Sequence, residues 1–349
     1  MTRGSIITRG IRRLRRASRW STVSSGPKAL ILLYHRVAEL RLDPWSLGVT
    51  PQHFDEHLEV LREQARPLHL RQLTQALLEN NLPDRSVVVT FDDGYADNLY
   101  NAKPALERYG IPATFFLISG YAGHSREFWW DELDRLLLQP GTLPETLRLD
   151  LDGNTHEWQL GEAAHYSEDD FWHHRNWRGW VEAPSPRHRF YLSLWEMLNL
   201  ATESERRRLL DELQAWAAAE PAVHSTHRSL SLEEVMVLAE GPLVEIGAHT
   251  VTHPHLPSIS VESQRDEIQR SKARLEDILG DSVRSFSYPH GSLSAETIAI
   301  VRAVGFDCAC SSLKAAVKSS TDRLQLPRRS VENLTGKTFA KQLSEWFRR

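Results

Sequence analysis

The stretch VVVTFDDG, residues 87–94, gives the strongest indication of the fold, because it joins a buried strand to two adjacent carboxylates. Its first five residues form a short apolar run after the polar segment 83–85, which predicts a parallel strand buried on both faces. Neighbouring side chains at a strand end point in opposite directions, so Asp92 and Asp93 are expected to do different jobs. Gly94 permits a tight turn directly after them. Because Asp-Asp-Gly also fits an ordinary turn, the rest of the chain has to decide whether a functional site lies here.

Six further strands are predicted, and helical segments separate them along the chain. The strand candidates are Ala29–Tyr34, Ala113–Ile118, Leu243–Ile246, Val283–Ser287, Phe306–Ser311 and Leu324–Val331. Strands that alternate with helices form a parallel sheet, and seven of them favour a barrel over an open sheet. The predicted fold class is therefore α/β, a distorted seven-stranded (β/α) barrel with a tryptophan-rich insertion after the third strand.

The alternation of strands and helices stops between Tyr121 and Leu230, where the sequence predicts an insertion of mixed helix and hairpin. Eight of the eleven tryptophans of the chain lie in this part. Two interpretations stay open for these aromatic side chains. They can stack on sugar rings, or they can pack a small core against the main domain. The predicted barrel is then made of residues 29–120 and 231–349.

Composition indicates a globular protein, since 349 residues with 41% apolar and 25% charged side chains can bury a sizeable core. The net charge of −4 is uneven. Residues 1–28 carry eight basic side chains and no acidic one, which leaves −12 for the remainder. That balance argues against nucleic acid as a partner. Cys308 and Cys310, the two cysteines, are expected to be small core residues in a reducing compartment.

Residues 1–28 are predicted to form a basic, disordered arm. Ile7, Ile11 and Leu14 recur at helical spacing among arginines, which indicates an alternative, a basic helix lying on an anionic membrane. The arm has no apolar segment and cleavage site typical of a secretory signal, and no run reaches the roughly 18 apolar residues of a transmembrane segment. The expected location is the cytoplasm, with the arm as the candidate for peripheral contact with the inner face of the membrane.

Histidines follow three other predicted strands. His35 ends the first strand, His249 and His253 come after the fourth, and the segment 288–291 (YPHG) follows the fifth. In a β/α barrel the carboxyl ends of the strands share one face, where function collects. Two imidazoles and one carboxylate make the three-ligand set of a catalytic zinc site, which leaves a position for water. The strand-end carboxylates and histidines together therefore predict a metal site.

Four motifs carry a resemblance to a known family: TFDDGYADN, KPALERYGIPATFFL, GAHTVTHPHL and FSYPHG, in this order. They resemble the polysaccharide deacetylases, carbohydrate esterase family 4, over most of the predicted barrel. The resemblance implies metal-dependent removal of N-acetyl, sometimes O-acetyl, groups from amino-sugar polymers by a distorted seven-stranded barrel. The segment YHRV is similar to that of poly-N-acetylglucosamine deacetylases of biofilm assembly, whose barrel order is permuted so that the catalytic histidine comes first.

Carried over motif by motif, the resemblance implies a role for each strand-end residue. Asp93, His249 and His253 would hold one divalent metal ion, with zinc as the first choice and cobalt or nickel as alternatives. Asp92 would be the general base, and His35 the general acid. A structural role for His35 is the alternative, because one histidine at a strand end is a weak signal. The implied partner is an N-acetylated saccharide.

The chain departs from the family pattern at two positions. The arginine that the family has two residues before the motif proline is Ser287 here, and Arg328 or Arg329 is the hypothetical source of the missing guanidinium. The aromatic residue after that proline is His290, whose backbone N–H can still bind an oxyanion. His290, Tyr288 and Arg328 are therefore the predicted oxyanion- and substrate-binding residues.

The preferred function is a metal-dependent hydrolase of non-peptide carbon–nitrogen bonds that deacetylates an amino-sugar glycan or glycan precursor. Two alternatives stay open. The Ser287 departure suggests a glycan-binding protein with a degenerate deacetylase site, which would use the tryptophan-rich insertion. The other alternative is a hydrolase of a non-carbohydrate amide or ester.

Overall fold

The computed structural model describes residues 26–348 except 125, 152 and 221–226. Its centre is a curled parallel sheet with seven strands in one continuous path. These strands are β1 Ala29–Tyr34, β2 Ser86–Phe91, β3 Ala113–Leu117, β4 Val244–Ala248, β5 Ser285–Ser287, β6 Cys308–Cys310 and β7 Arg329–Ser330. They lie in the order β6-β5-β4-β3-β2-β1-β7, so that neighbours in the chain are neighbours in the sheet and β7 returns to β1.

The curled sheet forms a distorted half-barrel, which confirms the predicted α/β fold class. The last strand is shorter than predicted, since within 324–331 only Arg329–Ser330 pair with β1. Pro327 has no N–H to donate to a sheet, which interrupts the strand. Leu326, just before it, forms a bridge to Cys310 of β6 instead. The segment thus spans the gap between the two edges of the sheet.

Helices cover the outer face of the sheet and build most of the insertion. They are α1 Pro51–Gln64, α2 Leu70–Leu78, α3 Lys103–Tyr109, α4 Trp129–Leu137, α5 Glu168–His174, α6 Pro186–Leu200, α7 Glu203–Trp216, α8 Leu232–Ala239, α9 Val261–Leu279, α10 Ala295–Val304 and α11 Gly336–Arg348. A π-helical turn occupies Asn98–Ala102, and 3₁₀ turns occupy Gly161–Ala164, Leu256–Ser258 and Pro289–Gly291. Minor strands are Arg36–Val37 with Gly48–Val49, Arg66–Pro67 beside β2, Gly141–Thr142 with His165–Tyr166, and the hairpin Thr146–Leu151 with Asn154–Gln159.

Inward-facing strand residues such as Val88 form one hydrophobic cluster with Leu70 and Leu73 of helix α2. Cys308 and Cys310 belong to the same cluster and are buried free thiols, which confirms their predicted place in the core. A second, larger cluster lies between the outer face of the sheet and the covering helices.

The region 121–230 forms a third hydrophobic cluster from helices α4, α6 and α7 and the hairpin. Trp129 and Trp130 are buried in this cluster, whereas Trp172 and Trp180 remain 51% and 61% exposed. The cluster also includes Tyr95 from the loop after β2. The aromatic residues of this region therefore mostly pack a core, as one of the two interpretations expected.

Residues 1–25 lie outside the described residues, and with them most of the predicted basic arm and its membrane contact. Lys28, counted in the arm by its charge, is 5% exposed and belongs to the folded body. Its ammonium group donates to the carbonyl oxygen of Phe347 at 3.2 Å, near the carboxyl end of α11, where a helix favours positive charge. Within 26–348, with the stated gaps, none of the helices is long and apolar enough to cross a membrane.

Candidate active site

The carboxyl ends of the strands surround a cavity of about 270 Å³ that collects most of the predicted site residues. Those that line it are His35, Asp92, Asp93, His249, His253, His290 and Arg328. A larger cavity of about 750 Å³ includes Glu245 and Cys308, at the opposite ends of the strands, and none of the predicted site residues lines it. In β/α barrels the carboxyl face is the functional one, so the smaller cavity is the candidate active site.

Asp92 and Asp93 diverge because the chain leaves the strand conformation between them. Strand β2 ends at Phe91, and Asp93 has a φ of 75°, which an aspartate tolerates better than most residues. Gly94 follows with a φ of 91°, and a Cβ atom there would lie 2.9 Å from the side chain of Leu117. The two carboxylates do face different partners, as expected, but the left-handed turn separates them, not the alternation of a strand.

The Asp92 carboxylate is held by a guanidinium group. Arg328 Nη1 donates to Asp92 Oδ1 at 2.8 Å, and Nη2 donates to Oδ2 at 2.7 Å. The Ser287 hydroxyl donates to Oδ2 at 3.1 Å and accepts from Arg328 Nη2 at 2.8 Å. Arg328 and Asp92 are 1% and 3% exposed. Arg328, one of the two hypothetical sources of the guanidinium expected near Ser287, thus reaches Asp92 from the other edge of the sheet, next to β7.

This pairing sets the charge of Asp92. Burial alone would raise the pKa of its carboxyl, but Arg328 and His249 outweigh burial and hold the pKa below its usual range. A carboxylate in such a pair stays ionised at neutral pH. The guanidinium is held in turn by the carbonyl oxygen of Ser311, which accepts from Arg328 Nε at 2.9 Å. Arg329 lies elsewhere, with its guanidinium 5.9 Å from the ring centre of Trp346.

Asp93 forms a compact group with two imidazoles. Its Oδ1 lies 3.7 Å from His249 Nε2 and 3.8 Å from His253 Nε2. The three potential ligand atoms lie within 4.8 Å of one another, and all three residues are buried. This arrangement is a possible Asp/His/His metal site.

The chemistry of this group fits a cation. Within the described part of the chain, no hydrogen-bond donor reaches the Asp93 carboxylate. Burial and the neighbouring Asp92 raise the pKa of Asp93 well above its usual value, so a negative charge there is unfavourable without a cation. Burial lowers the pKa of both His249 and His253, which favours the neutral imidazoles that bind metals. His249 Nδ1 lies 2.8 Å from the Ser287 carbonyl oxygen, a contact that directs Nε2 toward Asp93.

The loop between the two histidines depends on a residue that sequence reasoning missed. Glu267 of α9 accepts hydrogen bonds from the backbone N–H groups of Val251 and Thr252 at 2.8 and 2.9 Å. Thr250 and His253 both have positive φ, 65° and 60°, and such strained backbone persists only where surrounding contacts hold it. A glutamate on a helical surface gives no local signal for this role.

His35 lies at the end of β1, and two further unpredicted residues hold its segment. Asn98 Nδ2 donates to the His35 carbonyl oxygen at 2.9 Å. Asp97 pairs with Arg36 at 3.0 Å and accepts from the backbone N–H of Val37 at 3.0 Å. Because Asp97 and Asn98 end the motif TFDDGYADN, the motif supplies both the carboxylates and the supports of the histidine segment.

One predicted substrate-binding residue is misplaced. Tyr288 is fully buried in the core outside the half-barrel, and its hydroxyl donates to the Leu324 carbonyl oxygen at 2.9 Å. The structure therefore does not bring Tyr288 to the cavity, in contrast to its predicted place among the substrate-binding residues, because its side chain packs in the outer core. His290 does line the cavity, with its ring 4.6 Å from that of His253.

Indole rings form another wall of the cavity. Trp45 and Trp195 lie 4.5 Å apart between ring centres, and Trp129 lies 5.7 Å from Trp195. Trp130 also lines the cavity, 5.2 Å from the ring of His253. Three of these four tryptophans come from the region 121–230, so this region contributes to the cavity as well as to a core.

Sequence comparison places these elements in a family. The profile of the polysaccharide deacetylases matches residues 79–143 and 216–309. A putative polysaccharide deacetylase, YxkH, of Bacillus subtilis (strain 168) is 30% identical over 152 residues, which are 42% of this chain and 53% of that protein. The poly-beta-1,6-N-acetyl-D-glucosamine N-deacetylase of Staphylococcus epidermidis is 31% identical over 144 residues, 37% of this chain and 48% of that protein. The chain thus spans about half the length of the curated relatives it matches.

Solved structures share the fold over nearly the whole chain. The Streptococcus pyogenes deacetylase PplD, in complex with acetate, superposes with a TM-score of 0.56 at 18% identity. The superposition covers 91% of this chain and 99% of the PplD chain. IcaB from Ammonifex degensii gives a TM-score of 0.55 at 18% identity, over 93% of this chain and 98% of the IcaB chain. The chain thus carries a segment that matches the polysaccharide deacetylase profile, and these solved structures share its fold.

Proposed function

We propose that the protein is a metal-dependent hydrolase that removes N-acetyl groups from an amino-sugar glycan or glycan precursor. One observation carries the proposal: a buried Asp93, His249 and His253 group lies beside a guanidinium-paired Asp92 in one cavity. The names of the relatives, which include poly-beta-1,6-N-acetyl-D-glucosamine N-deacetylases, support an N-acetylated saccharide as substrate.

Asp93, His249 and His253 would hold one divalent ion. A carboxylate with two imidazoles suits zinc, and cobalt or nickel as alternatives. Such an ion supplies Lewis-acid chemistry, which makes water more acidic and an amide carbonyl more electrophilic.

Asp92 is the proposed general base. Its pKa is held low by Arg328, so the carboxylate is ionised and ready to accept a proton from water at neutral pH. Asp92 Oδ2 lies 3.7 Å from His249 Nε2, so the base faces the ligand group. The backbone N–H of His290 is the proposed donor to the oxyanion, a contact worth about 3 kcal/mol in comparable sites.

His35 is the proposed general acid, which protonates the departing amine. Burial, partly opposed by Asp92, lowers the pKa of His35 to about 4. The ring is therefore neutral at pH 7, and the proton that it delivers has to be acquired within each turnover, from water through Asp92. The sugar ring would stack on the wall of Trp45 and Trp195, because pyranose rings present apolar C–H faces to aromatic side chains.

The test is acetate release from a panel of N-acetylated saccharides and lipid-linked sugars, with and without a chelator. We expect release that the chelator abolishes and zinc restores. Asp92→Asn should keep stoichiometric zinc and lose turnover, whereas Asp169→Asn, at an exposed position of α5, should change neither.

Three outcomes would contradict the proposal or one of its parts. Full activity in Asp92→Asn would remove the assigned base. A protein that binds glycan, binds no zinc and releases no acetate would be the degenerate binding protein. The departure that suggested this alternative, Ser287, no longer favours it, because Arg328 supplies the guanidinium. Release from amides or esters that lack a sugar would favour a non-carbohydrate substrate.

A further inference from the structure

We propose that Trp130, a residue of the region 121–230, orients the proposed metal ligand His253 and so makes this region part of the metal centre. This inference rests on the metal-dependent function proposed above and adds a positioning residue to it. It follows from an asymmetry between the two histidines, from the ring contacts of His253, and from the way in which Trp130 is itself fixed.

The two histidine ligands are held differently. His249 has a hydrogen bond from its second nitrogen, Nδ1, to the Ser287 carbonyl oxygen at 2.8 Å. The corresponding Nδ1 of His253 is buried and has no hydrogen-bond partner among the described residues. Metal-binding histidines nearly always use the second nitrogen to fix the orientation of the ring. The orientation of His253 must therefore come from packing.

Three rings contact the imidazole of His253. His249 lies 4.8 Å away at 65°, His290 lies 4.6 Å away at 61°, and Trp130 lies 5.2 Å away at 57°. His249 is itself a proposed ligand, so it cannot serve as an independent support. Trp130 offers the largest ring of the three.

Trp130 is fixed more firmly than the ring it supports. Its Nε1 donates to the Tyr95 hydroxyl oxygen at 2.7 Å, and that hydroxyl donates to Asp131 Oδ2 at 2.7 Å. Phe128 stacks on Trp130 with 5.0 Å between ring centres and an interplanar angle of 1°. Tyr95 comes two residues after Asp93, so the same loop that carries the carboxylate ligand also fixes the indole behind the histidine ligand.

The test measures metal binding by purified full-length variants rather than turnover. The variants are Trp130→Ala, Trp130→Phe and Tyr95→Phe, with Trp177→Ala as the matched control. Trp177 is 8% exposed, against 7% for Trp130, and also uses its indole N–H in a hydrogen bond, to the Glu182 carbonyl oxygen at 3.1 Å. The readouts are zinc affinity in competition with a chromogenic chelator and the absorption spectrum of the cobalt-substituted protein.

We expect Trp130→Ala to weaken zinc binding about 10- to 100-fold, as loss of other outer-shell partners does, and to change the cobalt spectrum. Trp130→Phe, which keeps a ring, should recover most of the affinity, and Tyr95→Phe should show a smaller loss. Trp177→Ala should bind zinc as the wild type does.

Wild-type affinity and an unchanged spectrum in Trp130→Ala would overturn this inference while leaving the proposed function intact. Should Trp130→Ala fail to fold, Tyr95→Phe decides, because it removes only the hydroxyl that fixes the indole. Wild-type binding by Tyr95→Phe would then overturn the inference. Wild-type protein that binds no metal would overturn both proposals together.

Discussion

The site has two halves, each built around one of the two adjacent carboxylates. They differ in how many hydrogen bonds the protein donates to that carboxylate. The base side consists of Asp92, Ser287 and Arg328, where the carboxylate accepts two hydrogen bonds from the guanidinium and one from the hydroxyl. The ligand side consists of Asp93, His249 and His253. There, within the described residues, the carboxylate accepts no hydrogen bond and faces two imidazole nitrogens at 3.7 and 3.8 Å.

This contrast indicates what each half needs in order to function. The base side is neutral as a pair, so its carboxylate stays ionised with or without a metal ion. The ligand side holds a buried negative charge among neutral rings, which becomes favourable only beside a cation. In the proposed site, the protein thus completes one half with its own side chains and leaves the other to the proposed metal ion.

Among the variants that separate the two halves, Asp93→Asn should have the largest effect on metal affinity and acetate release. An amide is a far weaker ligand than a carboxylate. Metal affinity should therefore fall by more than the roughly 100-fold that marks the loss of an outer-shell partner, and acetate release should fall with it. Asp92→Asn, one residue away, should keep its metal. Equilibrium dialysis of both variants against zinc gives the comparison, and equal zinc retention would show that the two halves are not distinct.

The next effect is that of Arg328→Met, which leaves the Asp92 carboxylate buried without its partner. We expect the free energy of unfolding to fall by about 3–5 kcal/mol. The wild-type contribution of this pair is present above the unfolded pKa of aspartate and is lost as pH falls through the depressed pKa of Asp92. In the variant the pKa of Asp92 rises, so the acid limb of the rate profile moves to higher pH.

A double variant provides the control for this effect. Asp92→Asn added to Arg328→Met removes the orphaned charge and should recover much of the lost stability in denaturant titrations. If the double variant is less stable than Arg328→Met alone, the guanidinium stabilises the fold through contacts other than the one with Asp92.

Much of this site could be predicted from the sequence, because strand ends are marked by local patterns. Apolar runs predicted the barrel strands, and the residues just after them supplied Asp92, Asp93, His249 and His253. Strand alternation argued against a place for Tyr288 at the cavity. Ser287 faces the interior, so its neighbour faces the outer helices.

Other features depend on contacts between distant segments and leave no local pattern. The choice between Arg328 and Arg329 rests on the register of β7 after Pro327, since a shift of one residue turns a side chain to the opposite face. Glu267 and Trp130 act through tertiary contacts with the His249–His253 loop, and neither has a distinctive neighbour in sequence.

A smaller effect concerns the pH dependence of stability in the metal-free protein. The pKa of Asp93 is raised on folding, so its contribution to stability is present at low pH and is lost as pH rises through the folded pKa. Metal-free Asp93→Asn should therefore gain stability over the wild type as pH rises above about 4, by up to 1.4 kcal/mol per pH unit. Because both proteins contain the same histidines, the difference isolates Asp93. With excess zinc, the wild type should instead be more stable than Asp93→Asn. A stability difference between the two proteins that does not vary with pH would contradict the account of the ligand side.

The smallest effect, that of Ser287→Ala, gives the sharpest separation, because Ser287 touches both halves with different atoms. Its hydroxyl bonds Asp92 and Arg328, whereas its backbone carbonyl oxygen holds His249 Nδ1. Alanine removes only the hydroxyl, so the unfolding free energy should fall by about 1 kcal/mol, the value of an ordinary hydrogen bond. The acid limb of the rate profile should move slightly to higher pH, and zinc affinity should stay at the wild-type value. Weakened zinc binding in this variant would show that the two halves are coupled through this residue and do not act independently.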